Sequence, residues 1–156
     1  MSSRLARRFP PVLVWLVVGA LMALCARLVP SAPLPLSNTS GVVLIGASTA
    51  LGVTFAVAAV VQFGRAQTTV DPRMPDNASA LVTSGVFRFT RNPMYLGLSL
   101  LLAAWALKLN HPVALAGPPL FVLWIDRMQI PFEERAMSAR FGEAFDRYCR
   151  TTRRWI

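Results

Sequence analysis

Apolar positions along the chain gather into four runs, separated by polar or proline-rich punctuation. The first extends from about Pro10 to Leu28 and is interrupted only near its end by Arg27. It is longer than the ~7–15 apolar residues of a cleaved signal, so it predicts a retained helix. The uncharged segment Ser31 to Ser40, with Pro30 just before it and Pro33 and Pro35 inside it, reads as a short loop on the non-cytoplasmic side. A second run, Gly41 to Phe63, exceeds the ~20 residues a spanning helix needs. Its small residues (Gly46, Ala47, Ser48, Ala50, Gly52) suit close helix packing in lipid.

From Gly64 to Arg91 the pattern turns polar: Arg65, Asp71, Arg73, Asp76, Arg88 and Arg91 stand among Pro72, Pro75 and Gly85. Loops of that length are usually functional or disordered. This one carries the apolar pairs Leu81-Val82 and Val86-Phe87 between membrane helices, so it is expected to fold over a site. A third run, Met94 to Leu109, meets a fourth, Val113 to Ile130, through an Asn110-His111-Pro112 turn. Both are short for independent spans. They read as a helical hairpin whose turn lies at or just inside the far interface, with Lys108 snorkelling and with Pro118 and Pro119 kinking the fourth helix. After Pro131, Met137, Phe141, Phe145 and Tyr148 recur at helical spacing, with Arg135, Arg140, Glu143, Arg147 and Arg150 on other faces. That pattern predicts an amphipathic helix lying on the cytoplasmic interface, apolar side down.

The fold class predicted is therefore all-α: one membrane-embedded domain over residues 1–156, with about four transmembrane helices and a C-terminal amphipathic interfacial helix. Residues 1–63 supply the first two spans, 64–92 a cytoplasmic loop, and 93–156 the hairpin and the C-terminal helix.

Composition agrees. The chain is 54% hydrophobic and 15% charged, whereas soluble domains carry about a quarter charged residues. Little length remains for a separate soluble catalytic domain. The net charge of +9 does not form one basic face, as nucleic-acid binding would require. All of the 16 Lys and Arg except Arg27 and Lys108 fall on one side of the predicted membrane, which assigns both termini to the cytoplasm. Cys25 and Cys149 offer no disulfide framework, and with His111 as the single histidine no metal site is implied. His111, before Pro112, reads as a polar turn residue.

Two constellations carry chemistry. Arg91-Asn92-Pro93-Met94-Tyr95-Leu96-Gly97 opens the third helix. Asn92 as N-cap and Pro93 in the first turn would explain both residues by capping alone. A helix start beside Arg91 is also a natural anion site. Glu133-Glu134 follows the fourth run. The acids suit a helix N-terminus, and they also suit an ammonium group or ribose hydroxyls.

Taken together, these segments resemble the isoprenylcysteine carboxyl methyltransferase and phospholipid methyltransferase family. Its mark is an Arg-His-Pro-x-Tyr-x-Gly segment, a helical hairpin and a Glu-Glu pair. The matching residues are Arg91, Pro93, Tyr95, Gly97, Glu133 and Glu134; the lead-in Leu81 to Arg88 and the ending Phe141 to Tyr148 also match. The resemblance covers roughly residues 65 to 154, and the first two helices match only in being hydrophobic. Asn92 replaces the family histidine and cannot titrate near neutral pH, a departure read as a trait of bacterial-looking members.

The resemblance implies S-adenosylmethionine as cofactor, held by Leu81, Val82, Gly85, Arg91, Asn92, Pro93, Tyr95, Gly97, Glu133 and Glu134 in a cytoplasm-facing pocket large enough for a nucleoside. Arg91, Glu133 and Glu134 are the catalytic candidates. The acceptor implied is a lipid or lipidated molecule entering from the bilayer, most like an isoprenylcysteine carboxyl group, with phospholipid amines and hydrophobic thiols as alternatives. The location implied is a bacterial inner membrane. Two further readings stay open: an NADPH-dependent reductase of related fold, since membrane sterol reductases resemble this family in their C-terminal helices, and a non-catalytic membrane scaffold.

Overall fold

The computed structural model describes residues 9–68 and 78–156. Arg4, Arg7 and Arg8 of the orientation count, and Asp71, Pro72, Arg73, Pro75 and Asp76 of the long loop, lie outside the described residues. Helix α1 spans Pro11–Leu28 and α2 spans Asn38–Arg65, and both are long and apolar enough to cross a membrane. Proline in the first turn starts α1, and Ser37 caps α2 by accepting the Ser40 amide at 3.1 Å. At about 1.5 Å per residue α2 is roughly 42 Å long and exceeds a hydrocarbon core of ~30 Å.

Helix α3, Pro93–Leu109, stops at Asn110, which takes the left-handed conformation (φ 51°) typical of helix ends. A 3-10 turn (Pro112–Ala116), α4 (Gly117–Trp124), a π turn (Ile125–Gln129), α5 (Ile130–Phe141) and α6 (Glu143–Thr151) complete the chain. The described residues contain no strand, and the all-α membrane bundle holds.

Three expectations need correction. Pro118 and Pro119 do not kink a helix, because α4 begins at Gly117; in a first turn their missing N–H groups would have no intrahelical partner anyway. The irregularity comes later, where the Ile130 amide reaches five residues back to the Ile125 carbonyl. Pro131 supplies the physical reason: it cannot donate, and its ring crowds the carbonyl four residues before it. The C-terminal helix is two helices, broken at Gly142, whose φ of 49° and ψ of −128° suit glycine. Its apolar side does not lie on lipid either. Phe145 and Tyr148 are buried against Val82, Phe87 and Ala59, and the Tyr148 hydroxyl donates to the Phe87 carbonyl at 2.7 Å. The rings of Phe63 and Phe87 meet edge-on at 5.0 Å in the same cluster and supply the apolar surface that draws α6 inward.

The scaffold under the site is α3. Helix α2 packs along it more extensively than any other pair of elements, and the crossing is close. A Cβ added to Gly97 would lie 2.6 Å from the Gly52 carbonyl oxygen, so two hydrogens are all that fit between the backbones. Helix α1 also lies on α3, pinned by Trp15 donating to the Leu98 carbonyl at 2.8 Å and Trp105 donating to the Gly19 carbonyl at 3.1 Å. At the far end of α3, the buried His111 bonds to the Val29 carbonyl (2.9 Å) and accepts from the Val113 amide, while Asn110 accepts from the Leu34 amide. These bonds give His111 a structural place in the turn.

Candidate functional site

Where α3 starts, the segment Thr90 to Tyr95 meets the first turns of α5. The Nη2 of Arg91 bonds Glu134 Oε1 at 2.8 Å, and the Tyr95 hydroxyl donates to Glu133. Neighbouring acids on one helix thus face two different partners, Tyr95 in α3 and Arg91 just before it, because adjacent helical positions point about 100° apart. Glu133 also accepts from Gln129 Nε2 at 2.7 Å, and Gln129 comes from the π turn just upstream.

The chain beyond α6 binds the two halves together, a feature that sequence reading missed. Arg154 grips Glu134 through Nε (3.1 Å) and Nη2 (2.5 Å), and its Nη1 reaches Asp126 at 3.1 Å. The carbonyl of Arg154 accepts from Thr90 Oγ1 and Asn92 Nδ2, and that of Arg153 accepts the Arg91 amide. Arg91 Nη1 donates to the Thr152 and Cys149 carbonyls. Trp155 closes the strap by donating to Asp126 at 3.2 Å. Only the basic residue type was visible in the sequence, since a bond between a side chain and a distant carbonyl leaves no periodic trace.

The capping explanation for Asn92 is corrected as well. Asn92 occupies the N-cap position, but its side chain caps nothing and is spent on the Arg154 carbonyl. Burial of that amide away from solvent makes a specific partner necessary.

The electrostatics separate the two acids. Burial pushes Glu134 up, but the hydrogen bonds and charges of Arg154 and Arg91 outweigh it and hold the carboxyl below its ordinary value. Burial dominates at Glu133, where hydrogen bonds from Tyr95 and Gln129 only partly oppose it and the Glu134 charge adds to it, so its pKa rises to about 7. Glu133 has no cationic partner among the described residues. Glu134 is a fixed anion, and Glu133 is a carboxyl free to gain or lose a proton near neutrality.

These groups line a cavity of about 110 Å³ whose walls include Phe63, Leu81, Val82, Phe87, Arg91, Asn92, Glu133, Glu134, Met137, Phe145 and Tyr148. Of the sequence candidates, Leu81, Val82, Arg91, Asn92, Glu133 and Glu134 border it. Pro93 and Tyr95 stand behind it, buried in α3, with Tyr95 reaching the cavity through Glu133. Gly97 faces α2 instead, and Gly85 (φ 60°) packs on Gln62, whose side chain an added Cβ would overlap. Phe63 and Phe145 were missed as site features, because they read as apolar helix positions, whereas Phe87 belongs to the loop expected to fold over a site. The expected room for a nucleoside is not met by the cavity as it stands. Sites for ligands of that size run ~300–1,000 Å³, so occupation requires the walls to part.

Residues 39–144 match the family model described as phospholipid methyltransferase. A stretch of 63 residues is 41% identical to an uncharacterized protein of Haemophilus influenzae and spans 40% of this chain and all of that protein. No solved structure matches the chain.

Proposed function

This chain belongs to the phospholipid methyltransferase family, and from that premise we propose that it methylates an amine on a membrane-resident lipid, using S-adenosylmethionine. The family makes it a membrane methyltransferase; the cofactor, the acceptor and the roles of individual residues are our reading.

The observation that carries the reading is Glu133, a buried carboxyl whose pKa is raised to about 7 and which has no cationic partner among the described residues. A cationic ligand relieves that state by ionising the carboxyl and pairing with it. S-adenosylmethionine carries an ammonium and a sulfonium, and the donor set therefore fits its charge. The aromatic wall of Phe63, Phe87 and Phe145 offers flat apolar surface for a base. The Nε of Arg91 is buried without a hydrogen-bond partner among the described residues and points to an acceptor atom still to be supplied. When bound, the cofactor supplies an electrophilic methyl group.

The chain's own residues do the rest. Glu133 accepts the proton that the lipid amine must lose before its lone pair can form the new nitrogen–carbon bond. Tyr95 and Gln129 hold the accepting carboxylate in place. Glu134, neutralised by Arg91 and Arg154, fixes the spacing between α3 and α5. The apolar walls exclude water, and positioning supplies much of the rate. In this reading the site opens to the cytoplasm of a bacterial inner-membrane protein.

An isoprenylcysteine-type carboxylate is the second reading. What favours it is the same midpoint near neutrality, since a protonated Glu133 would donate to an anionic acceptor rather than repel it. Purified protein incubated with labelled methyl donor and either aminophospholipid or a prenylated cysteine decides between them. Label on the phospholipid headgroup is the expected result, and label only on the prenylated carboxyl overturns it. Thermal stabilisation by NADPH and not by S-adenosylhomocysteine would overturn methyl transfer in favour of reduction.

A further inference from the structure

Helices α1 and α2 each lie on α3 and scarcely touch one another, which leaves a groove of about 550 Å³ between them. Leu101 and Leu102 floor it, and Gly19, Ala20 and Ala23 of α1 keep it open. It shares no lining residue with the acid cavity. Its polar groups are few. The Thr49 hydroxyl is spent on the Ile45 carbonyl at 2.8 Å, and the Trp105 indole on Gly19. At the end of α3 away from Arg91 stands Lys108, exposed, its Nζ 5.9 Å from the Trp105 ring centre, with no acidic partner among the described residues. Every described acid belongs to the segment 126–146.

We propose that this groove binds an acyl chain of an anionic phospholipid, with Lys108 on the headgroup phosphate. In a bilayer the medium that meets a lateral apolar groove is hydrocarbon chain. A lone ammonium at its interfacial end lacks a counter-charge from the protein, and a phosphate at that depth supplies one. A second copy is the poorer occupant. A two-fold interface through this face would set the two Lys108 side chains at equal depth against each other. The inference is independent of the methyl-transfer reading and rests on membrane embedding alone.

The test is native mass spectrometry of the full chain released from nanodiscs of equal parts phosphatidylcholine and phosphatidylglycerol. The expected result is about fivefold enrichment of retained phosphatidylglycerol, the fold-change that corresponds to ~1 kcal/mol per basic residue near an anionic headgroup. Lys108→Gln should abolish the enrichment and Lys108→Arg should keep it. Ala23→Trp, which fills the groove, should remove the retained lipid. Equal retention of both lipids by the unsubstituted chain overturns the proposal, as does enrichment that survives Lys108→Gln. Efficient disulfide cross-linking of two Ala23→Cys chains would place a second copy in the groove and also overturn it.

Discussion

Arg91 and Glu134 lie 43 positions apart and meet at 2.8 Å, and the second oxygen of the same carboxylate is held by Arg154. One acid thus sits between two guanidiniums. Glu134→Ala is expected to lower stability by roughly 1–3 kcal/mol, between the values for exposed and buried ion pairs, because it leaves two crowded cations. Arg91→Ala should cost a similar amount: Arg154 still neutralises the carboxylate, but the Nη1 bonds to the Thr152 and Cys149 carbonyls are lost as well. Thermal unfolding in detergent measures both. No measurable loss for Glu134→Ala would contradict the three-way arrangement.

Glu133 should make stability fall as pH rises. Its folded pKa, about 7, stands above the ordinary glutamate value of 4.5. The fold therefore binds this proton more tightly than the unfolded chain does, its contribution is complete below about pH 4.5, and it is lost as pH climbs through 7. The total is on the order of 3 kcal/mol. Glu133→Gln should flatten that slope and be the more stable protein at pH 8. The same variant should lose about 10²–10⁴-fold in kcat toward a lipid amine, while the rate of the unsubstituted protein rises with pH through 7. A wild-type rate independent of pH between 6 and 8 would remove Glu133 from proton transfer.

The strap after α6 should matter more than its exposure suggests. Arg154→Gln removes contacts to Glu134 and Asp126 while sparing the carbonyl bonds to Thr90 and Asn92. Glu134 then loses the largest of the forces that hold it ionised, and its titration should move up toward its ordinary value. Infrared titration of labelled glutamate carboxyls would show the shift; an unmoved Glu134 signal would mean that Arg91 alone suffices.

Gly97→Val should misplace α3 without touching the cavity. The new side chain collides with the Gly52 carbonyl and with Ala56, which are backbone and neighbouring helix rather than a mobile chain end. A loss of about 1–3 kcal/mol is expected, with overpacking as the cause. Gly46→Val, where an added Cβ meets nothing within 4 Å, is the control and should be near neutral in the same unfolding assay.

Much of the scaffold was legible because lipid imposes a simple rule: apolar stretches of spanning length form helices. The boundaries of α1, α2 and α3 follow that rule within a few residues. Where the rule gives no guidance the reading failed. Whether Pro118 starts a helix or bends one depends on where the preceding turn closes, and Phe145 and Tyr148 show the same periodicity whether they face lipid or protein. The Arg91–Glu134 meeting was anticipated as two segments facing each other across a gap. Direct contact, and the third partner Arg154, could not be, because long-range pairing of charges carries no local pattern. The small cavity was missed for a similar reason: how tightly two walls close depends on side-chain rotamers, to which spacing is blind.

The π turn at Ile125–Gln129 has a consequence for how such a chain can diverge. A wide turn holds one extra residue within nearly the angle that an α-helix gives to one fewer, so it absorbs that residue without re-aiming the helix that follows. A one-residue deletion between Trp124 and Gln129 would return the ladder to ordinary α-helix and leave Glu133 and Glu134 facing their partners, whereas the same deletion between Ile130 and Phe132 would turn both acids by about 100°. Chain length can therefore change by one residue in the turn and not in the helix that carries the acids.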